Sequence, residues 1–110
     1  MAEPVSIGQF EQLVMTAVLA LGDNAYGVTI HGKVSELIAP KSVTLGAVYA
    51  TLDRLEAKGL VTSNRQSLAA DAPSRRIFAV TAAGGRSLSL TRNTRDRLWK
   101  GVNVGALSET

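Results

Sequence analysis

The sequence contains no cysteine, which excludes disulfides and thiolate chemistry and makes a reducing, cytoplasmic setting the default expectation. Histidine occurs once, as His31. Every serine–histidine–acid triad would have to pass through that one residue, and no acidic cluster accompanies it to hold a metal. Gly84-Gly85 opens a helix after a strand but lacks the spaced glycines and downstream acid of a nucleotide fingerprint. Neither an enzyme nor a cofactor is expected. Long hydrophobic runs are missing too. The longest apolar stretch, around Leu13 to Leu21, is too short to span a bilayer, so no membrane partner is expected. The opening MAEPVSIGQF has no basic start and no long apolar run, and a signal peptide is not expected there.

What is present fits a folded protein of modest size. A chain of 110 residues, 45% hydrophobic and 19% charged, makes one small domain with room for one appended helix. The net charge of +3 is unevenly placed. Residues 1–40 carry one lysine against four acids, a balance of −3, while residues 41–110 carry eleven Lys and Arg against five acids, a balance of +6. A basic half suits a polyanion, although a mixed soluble surface explains the same charge.

Three helices are expected first. Ser6-Ile7-Gly8-Gln9 fits a capping box with Ser6 as N-cap, and Phe10, Leu13, Val14, Ala17, Val18 and Leu21 recur on one helical face. Gly22-Asp23-Asn24 ends that helix and offers caps for the next, which runs from about Tyr26 to Ala39. Its stripe is Ile30, Val34, Leu37 and Ile38, and Pro40 closes it. Thr44 caps a third helix whose buried face is Leu45, Val48, Leu52 and Leu55, with Gly59 as its left-handed stop. Two helices joined by so short a link predict a helix-turn-helix.

Beyond Gly59 the period changes to alternation. Leu60–Gln66 and Arg75–Thr81 read as two strands of a hairpin, with a loop from Ser67 to Ser74. Thr81 then caps a last, arginine-rich helix reaching about Gly101. The order predicts a mainly α protein with a small β-hairpin, a winged helix-turn-helix. Its expected parts are a DNA-binding domain over 5–81, a C-terminal dimerisation helix over 82–102 and a flexible tail over 103–110.

The third helix has an unusual front. Its outward face offers Thr44, Gly46, Ala47, Tyr49, Ala50, Asp53 and Arg54, mostly small. A helix enters the ~12 Å major groove only where its leading side chains leave room. Its free amides and dipole favour phosphate, and Thr44 and Tyr49 can donate hydroxyls to the backbone. A second reading stands beside this one, in which Gly46 and Ala47 admit another protein helix and Tyr49 folds back on the wing. Arg75 and Arg76 begin the return strand, where a wing meets phosphates or the minor groove; the alternative is a solvated strand end. Lys41, in the turn before the third helix, is a candidate phosphate contact, and Arg65 is a weaker one. Arg54 fits a phosphate contact or an internal ion pair equally well, and Glu56 reads as solvated. On the last helix, Leu88 and Trp99 stand eleven residues apart and near one face. With Leu98 and Val102 they form a seam suited to a second copy of the chain.

The runs LGDNAYGVTI, VTLGAVYATLDRLEAKGLV and SRRIFAVTAAG resemble the PadR-type family of bacterial transcriptional regulators over roughly Phe10 to Trp99. The most specific part is Gly46-Ala47-Val48-Tyr49 followed by Leu52-Asp53-Arg54-Leu55-Glu56-Ala57-Lys58-Gly59-Leu60, and Tyr26-Gly27 matches a tyrosine–glycine pair in the second helix. The sequence departs from many relatives at Ala50 (proline there), Phe78 (tyrosine) and Val28 (an aromatic). The resemblance implies a winged-helix DNA-binding domain, a C-terminal dimerisation helix and regulation of transcription, most often repression. It implies double-stranded DNA with a palindromic operator and a homodimer as partners. A small hydrophobic effector is a further candidate, since some relatives stack flat ligands on an aromatic of the last helix, here Trp99. Two alternatives remain: a winged-helix protein-interaction module without DNA binding, and a sensor that captures planar aromatic compounds at the dimer centre.

Overall fold

The computed structural model describes residues 5–67 and 69–108. Helix α1 spans Gln9–Leu21 and buries Val14, Met15, Ala17 and Val18. Its cap is Gly8, not Ser6: the Glu11 side chain turns back to accept the Gly8 N–H at 2.9 Å. Glu11, rather than Gln9, therefore supplies the reciprocal bond of a capping box. Its other oxygen accepts from Lys58 Nζ at 2.8 Å, which ties the start of α1 to the end of the third helix.

A single 3₁₀ turn, Gly22–Asn24, leads to α2, Gly27–Ile38. The cap of α2 is Tyr26 rather than Asp23 or Asn24, and Thr29 Oγ1 accepts the Tyr26 N–H at 3.0 Å. Ile30 and Val34 are fully buried, but Leu37 is 49% exposed, because the stripe runs past the edge of the core. His31 fixes the turn that follows: its Nε2–H donates to the Val43 carbonyl at 2.7 Å.

Helix α3 is Leu45–Ala57, capped by Thr44, whose hydroxyl oxygen accepts the Ala47 N–H at 3.1 Å. Val48, Thr51, Leu52 and Leu55 are its buried residues. Leu45, expected among them, is 38% exposed; it lies on the right face but one turn beyond the core. Gly59, at φ +76°, ends the helix in a Schellman motif, with its N–H on the Glu56 carbonyl and the Leu60 N–H on the Leu55 carbonyl.

Strands β1 (Val61–Gln66) and β2 (Arg75–Val80) pair antiparallel, Val61 opposite Val80 and Gln66 opposite Arg75. The hairpin is fastened to the helices from both sides. Val61 and Phe78 enter the core, Ile77 is buried on the other face, and the Phe78 N–H donates to the Ala25 carbonyl at 2.8 Å. Helix α4, Ala82–Trp99, starts at Thr81, whose oxygen accepts the Gly84 N–H at 3.0 Å. Gly84 sits so close to the hairpin that an added Cβ would lie 2.1 Å from the Leu60 carbonyl oxygen. Beyond that anchor α4 leaves the domain, and every residue from Arg92 to Val104 is exposed. The radius of gyration, 16.1 Å, exceeds the ~13 Å of a compact chain of this length for that reason. Within the segment expected to be a flexible tail, Gly105–Ser108 forms one helical turn, and the Gly105 N–H donates to Asn103. The architecture is a winged helix-turn-helix. Among the described residues, no helix is long and apolar enough to cross a membrane.

Candidate nucleic-acid interface

The outward stripe of α3 follows from burial of the opposite face. With Val48, Leu52 and Leu55 at 0% exposure, residues 46, 49, 50 and 53 must point away from the core. Thr44, Gly46 and Ala50 are exposed and Ala47 is half-buried. At Gly46 an added Cβ would find nothing nearer than Thr44 Oγ1 at 4.0 Å. The front of the helix is open space.

Tyr49 is 38% exposed and occupies a defined seat. A Cβ added to Gly27 would fall 2.0 Å from its hydroxyl, so the phenol lies directly against the first turn of α2. The first amides of a helix have no intrahelical acceptor. Tyr49 and the first residues of α2, Gly27 and Val28, border a cleft of about 310 Å³ that Arg65, Ser74, Arg75 and Arg76 also line. The Arg75 guanidinium stacks 4.4 Å from the centre of the Tyr26 ring, a cation–π contact that holds it at the cleft while its N–H groups stay free of acid partners among the described residues. Hydroxyl, guanidinium and helix N-terminus border one space, a combination chemically able to bind an anion. Tyr26 and Ser74 were missed by sequence reasoning; the Tyr26-Gly27 pair was the available signal, since only glycine leaves room for the phenol.

Arg76 has a different position from its neighbour. Its Nη1 donates to Asp53 at 3.0 Å, its Nη2 to Glu56 and its Nε to the Ser63 hydroxyl at 3.0 Å. Its plane lies 4.7 Å from the Phe78 ring centre. It thus clamps β2 to α3 while lining the same cleft as Arg75, which gives it partners that neither the wing-contact reading nor the solvated-end reading included. Glu56, read as solvated, accepts from Ser63 as well as Arg76, and those two bonds hold its carboxyl below the ordinary value. Burial opposes the charge on Arg76, yet the bonds to Asp53 and Glu56 outweigh it and raise its pKa. Among the described residues Arg54 forms no ion pair; it donates to Thr51 Oγ1 at 3.0 Å and stays exposed. Lys41 is exposed beside the amino end of α3.

The last helix divides differently from expectation. Leu88 is half-buried and packs on the core of its own domain, so it does not share a free face with Trp99. Leu98, Trp99 and Val102 are 70%, 48% and 53% exposed. Between α1 and α4 runs a groove of about 590 Å³ whose apolar lining includes Leu13, Leu19, Leu37 and Leu88.

The profile of the transcriptional regulator PadR-like family matches residues 17–90, two thirds of the chain, including both helices of the helix-turn-helix and the wing. The chain belongs to the PadR-like family. Solved structures agree. A PadR family transcription regulator from Clostridium difficile R20291 aligns with a TM-score of 0.70 at 24% identity, covering 86% of this chain and 94% of that one. A PadR-like transcription factor from Bacteroides fragilis aligns at 0.68 and 26% identity, covering 87% and 88%. A PadR family regulator from Eggerthella lenta DSM 2243 aligns at 0.63 and 26% identity, covering 90% and 83%. A comparison with curated proteins found no significant match. Membership of the PadR-like family makes the chain a DNA-binding regulator of transcription rather than an enzyme. Among the described residues, no group of three His, Cys, Asp or Glu could hold a metal ion.

Proposed function

We propose that this PadR-like chain is a sequence-specific repressor that binds a palindromic operator as a homodimer and is released by a small-molecule or other signal. The observation that carries this reading is the open front of α3 beside the cleft where Tyr49, Arg75 and the first turn of α2 converge. Thr44, Gly46, Ala47 and Ala50 enter the major groove, where small side chains allow close approach to base edges. Tyr49 and Arg75 take one phosphate in the cleft, while Lys41, Arg54 and Arg65 meet the backbone on either side. Arg76 acts from behind, holding wing and recognition helix in one geometry.

Dimerisation is supported by the exposed Leu98, Trp99 and Val102 on a helix that is exposed from Arg92 onward. A twofold dimer through this helix offers two recognition helices to half-sites about one duplex turn apart. Repression follows from occlusion of a promoter. Release requires a ligand that prefers the dimer state with the wrong half-site spacing. Trp99, half-exposed at the seam, supports a flat hydrophobic effector stacked at the dimer centre, and quenching of its fluorescence by planar aromatics tests that reading.

The decisive experiment is selection of bound duplexes from a random library at near-physiological salt, with sedimentation of the free protein and the complex. A palindromic product bound by two chains is the expected result. Four cations per protomer predict a slope of log affinity against log salt of about −7 for the dimer. Failure to enrich any sequence would leave the protein-interaction reading instead.

A further inference from the structure

Asp53 is an acid on the helix face assigned to DNA. Gly46, Tyr49, Ala50 and Asp53 stand at i, i+3, i+4 and i+7, one outward stripe. Beyond the Thr44 cap, that stripe presents two groups able to form hydrogen bonds, the Tyr49 hydroxyl and the Asp53 carboxylate. The first is seated against Gly27; the second is on a side chain 62% exposed. A bare carboxylate there would be repelled by phosphates on both walls of the groove. Arg76 removes that objection. Its Nη1 donates to Asp53 Oδ1 at 3.0 Å and sets a positive charge beside the carboxylate. Oδ2 has no protein donor among the described residues.

An ionised carboxylate can only accept, so its counterpart in the groove must be a donor. The major-groove edge offers two, the N4 amino group of cytosine and the N6 amino group of adenine. Adenine sets the N7 acceptor beside N6, which opposes a carboxylate, whereas the cytosine edge carries the amino donor alone. We propose that Asp53 is a base-reading residue that selects cytosine at one position of each half-site, with Arg76 as its positioning residue. This rests on the DNA-binding reading above and goes beyond it by assigning one base to one side chain.

The test is duplex selection by the full chain, carried out in parallel for the wild type, Asp53→Ala and Asp53→Asn, with thermal unfolding of each. The wild type is expected to prefer cytosine at one position per half-site by roughly five- to a hundredfold. Asp53→Ala should lose that preference and keep the others. Asp53→Asn, nearly isosteric, should move the same position toward adenine, whose N6 and N7 match an amide, and it carries the test alone if the alanine variant unfolds. Unchanged base preferences at every position, or an equal loss of affinity for all sequences, would overturn the assignment and leave Asp53 as a fastening for the wing. A wild type that enriches no sequence would instead sink the DNA reading itself, together with this inference.

Discussion

Replacing Arg76 with alanine separates two roles that a wing arginine can play. In this structure the side chain makes three hydrogen bonds, to Asp53, Glu56 and Ser63. The Asp53 partner is 62% exposed, so that pair contributes at most ~1 kcal/mol. The Glu56 pair is about one-third exposed on both sides, and the loss also leaves Glu56 with Ser63 alone. A charge-assisted bond discounted for this exposure gives ~1 kcal/mol. The sum is about 2 kcal/mol, which corresponds to a fall in unfolding midpoint of roughly 10 °C for a domain of this size. The salt dependence of DNA binding should hardly change, because Arg76 meets no phosphate in this account. Arg75→Ala should do the reverse. Its stacking on Tyr26 is worth only ~0.5–1 kcal/mol, but one lost phosphate contact per protomer should make the salt slope of a dimer shallower by about 2. Thermal unfolding and binding titrations between low and moderate salt measure both quantities on the same samples. An Arg76→Ala protein that melts like the wild type but shows the shallower slope would refute the clamp.

Three further outcomes follow from the geometry. Gly84→Ala places a Cβ 2.1 Å from the Leu60 carbonyl oxygen and 2.8 Å from Val80, so it should cost about 3 kcal/mol in a melt; Gly85→Ala, which meets nothing within 4 Å, serves as the neutral or slightly stabilising control. Gly27→Ala puts a methyl where the Tyr49 hydroxyl now lies, and should weaken operator binding about tenfold, near 1.4 kcal/mol, with little change in unfolding. Glu11, lowered by the Gly8 N–H and then Lys58, and Glu56, lowered by Ser63 and then Arg76, both titrate below the ordinary carboxylate value of 4.5 when folded. The unfolded chain therefore binds protons first as pH falls, so their contribution is whole above about pH 4.5 and fades below it. Urea titrations at pH 7 and pH 4 should show the difference, and Glu56→Gln should shrink it.

The parts of this fold legible in the sequence are those decided by neighbours along the chain. Thr44 and Thr81 each accept an amide three residues on, and Gly59 ends α3 where only glycine adopts the turn easily. Capping at α1 misled because Gly8 has no side chain to advertise it; the bond comes from Glu11. Leu45 and Leu37 show the limit of periodicity, which gives the face of a helix but not where the core stops. The clamp was invisible for another reason. Arg76 meets Asp53, Glu56 and Ser63 across separations of 23, 20 and 13 residues, and no local pattern distinguishes it from Arg75 next door. The Tyr49 seat lay between these cases, hinted at by Gly27 but set by how two helices cross.

The outer reach of α4 has a mechanical consequence. From its last buried residue, Ser87, to Trp99 is twelve residues, or ~18 Å of rigid rod. A tilt of about 5° at that foot swings the tryptophan end through ~1.6 Å, comparable to a step that repacks an interface. Distance thus multiplies angle in both directions: a displacement of that size at the far end corresponds to only a few degrees at the foot, and a few degrees at the foot moves the far end by that much.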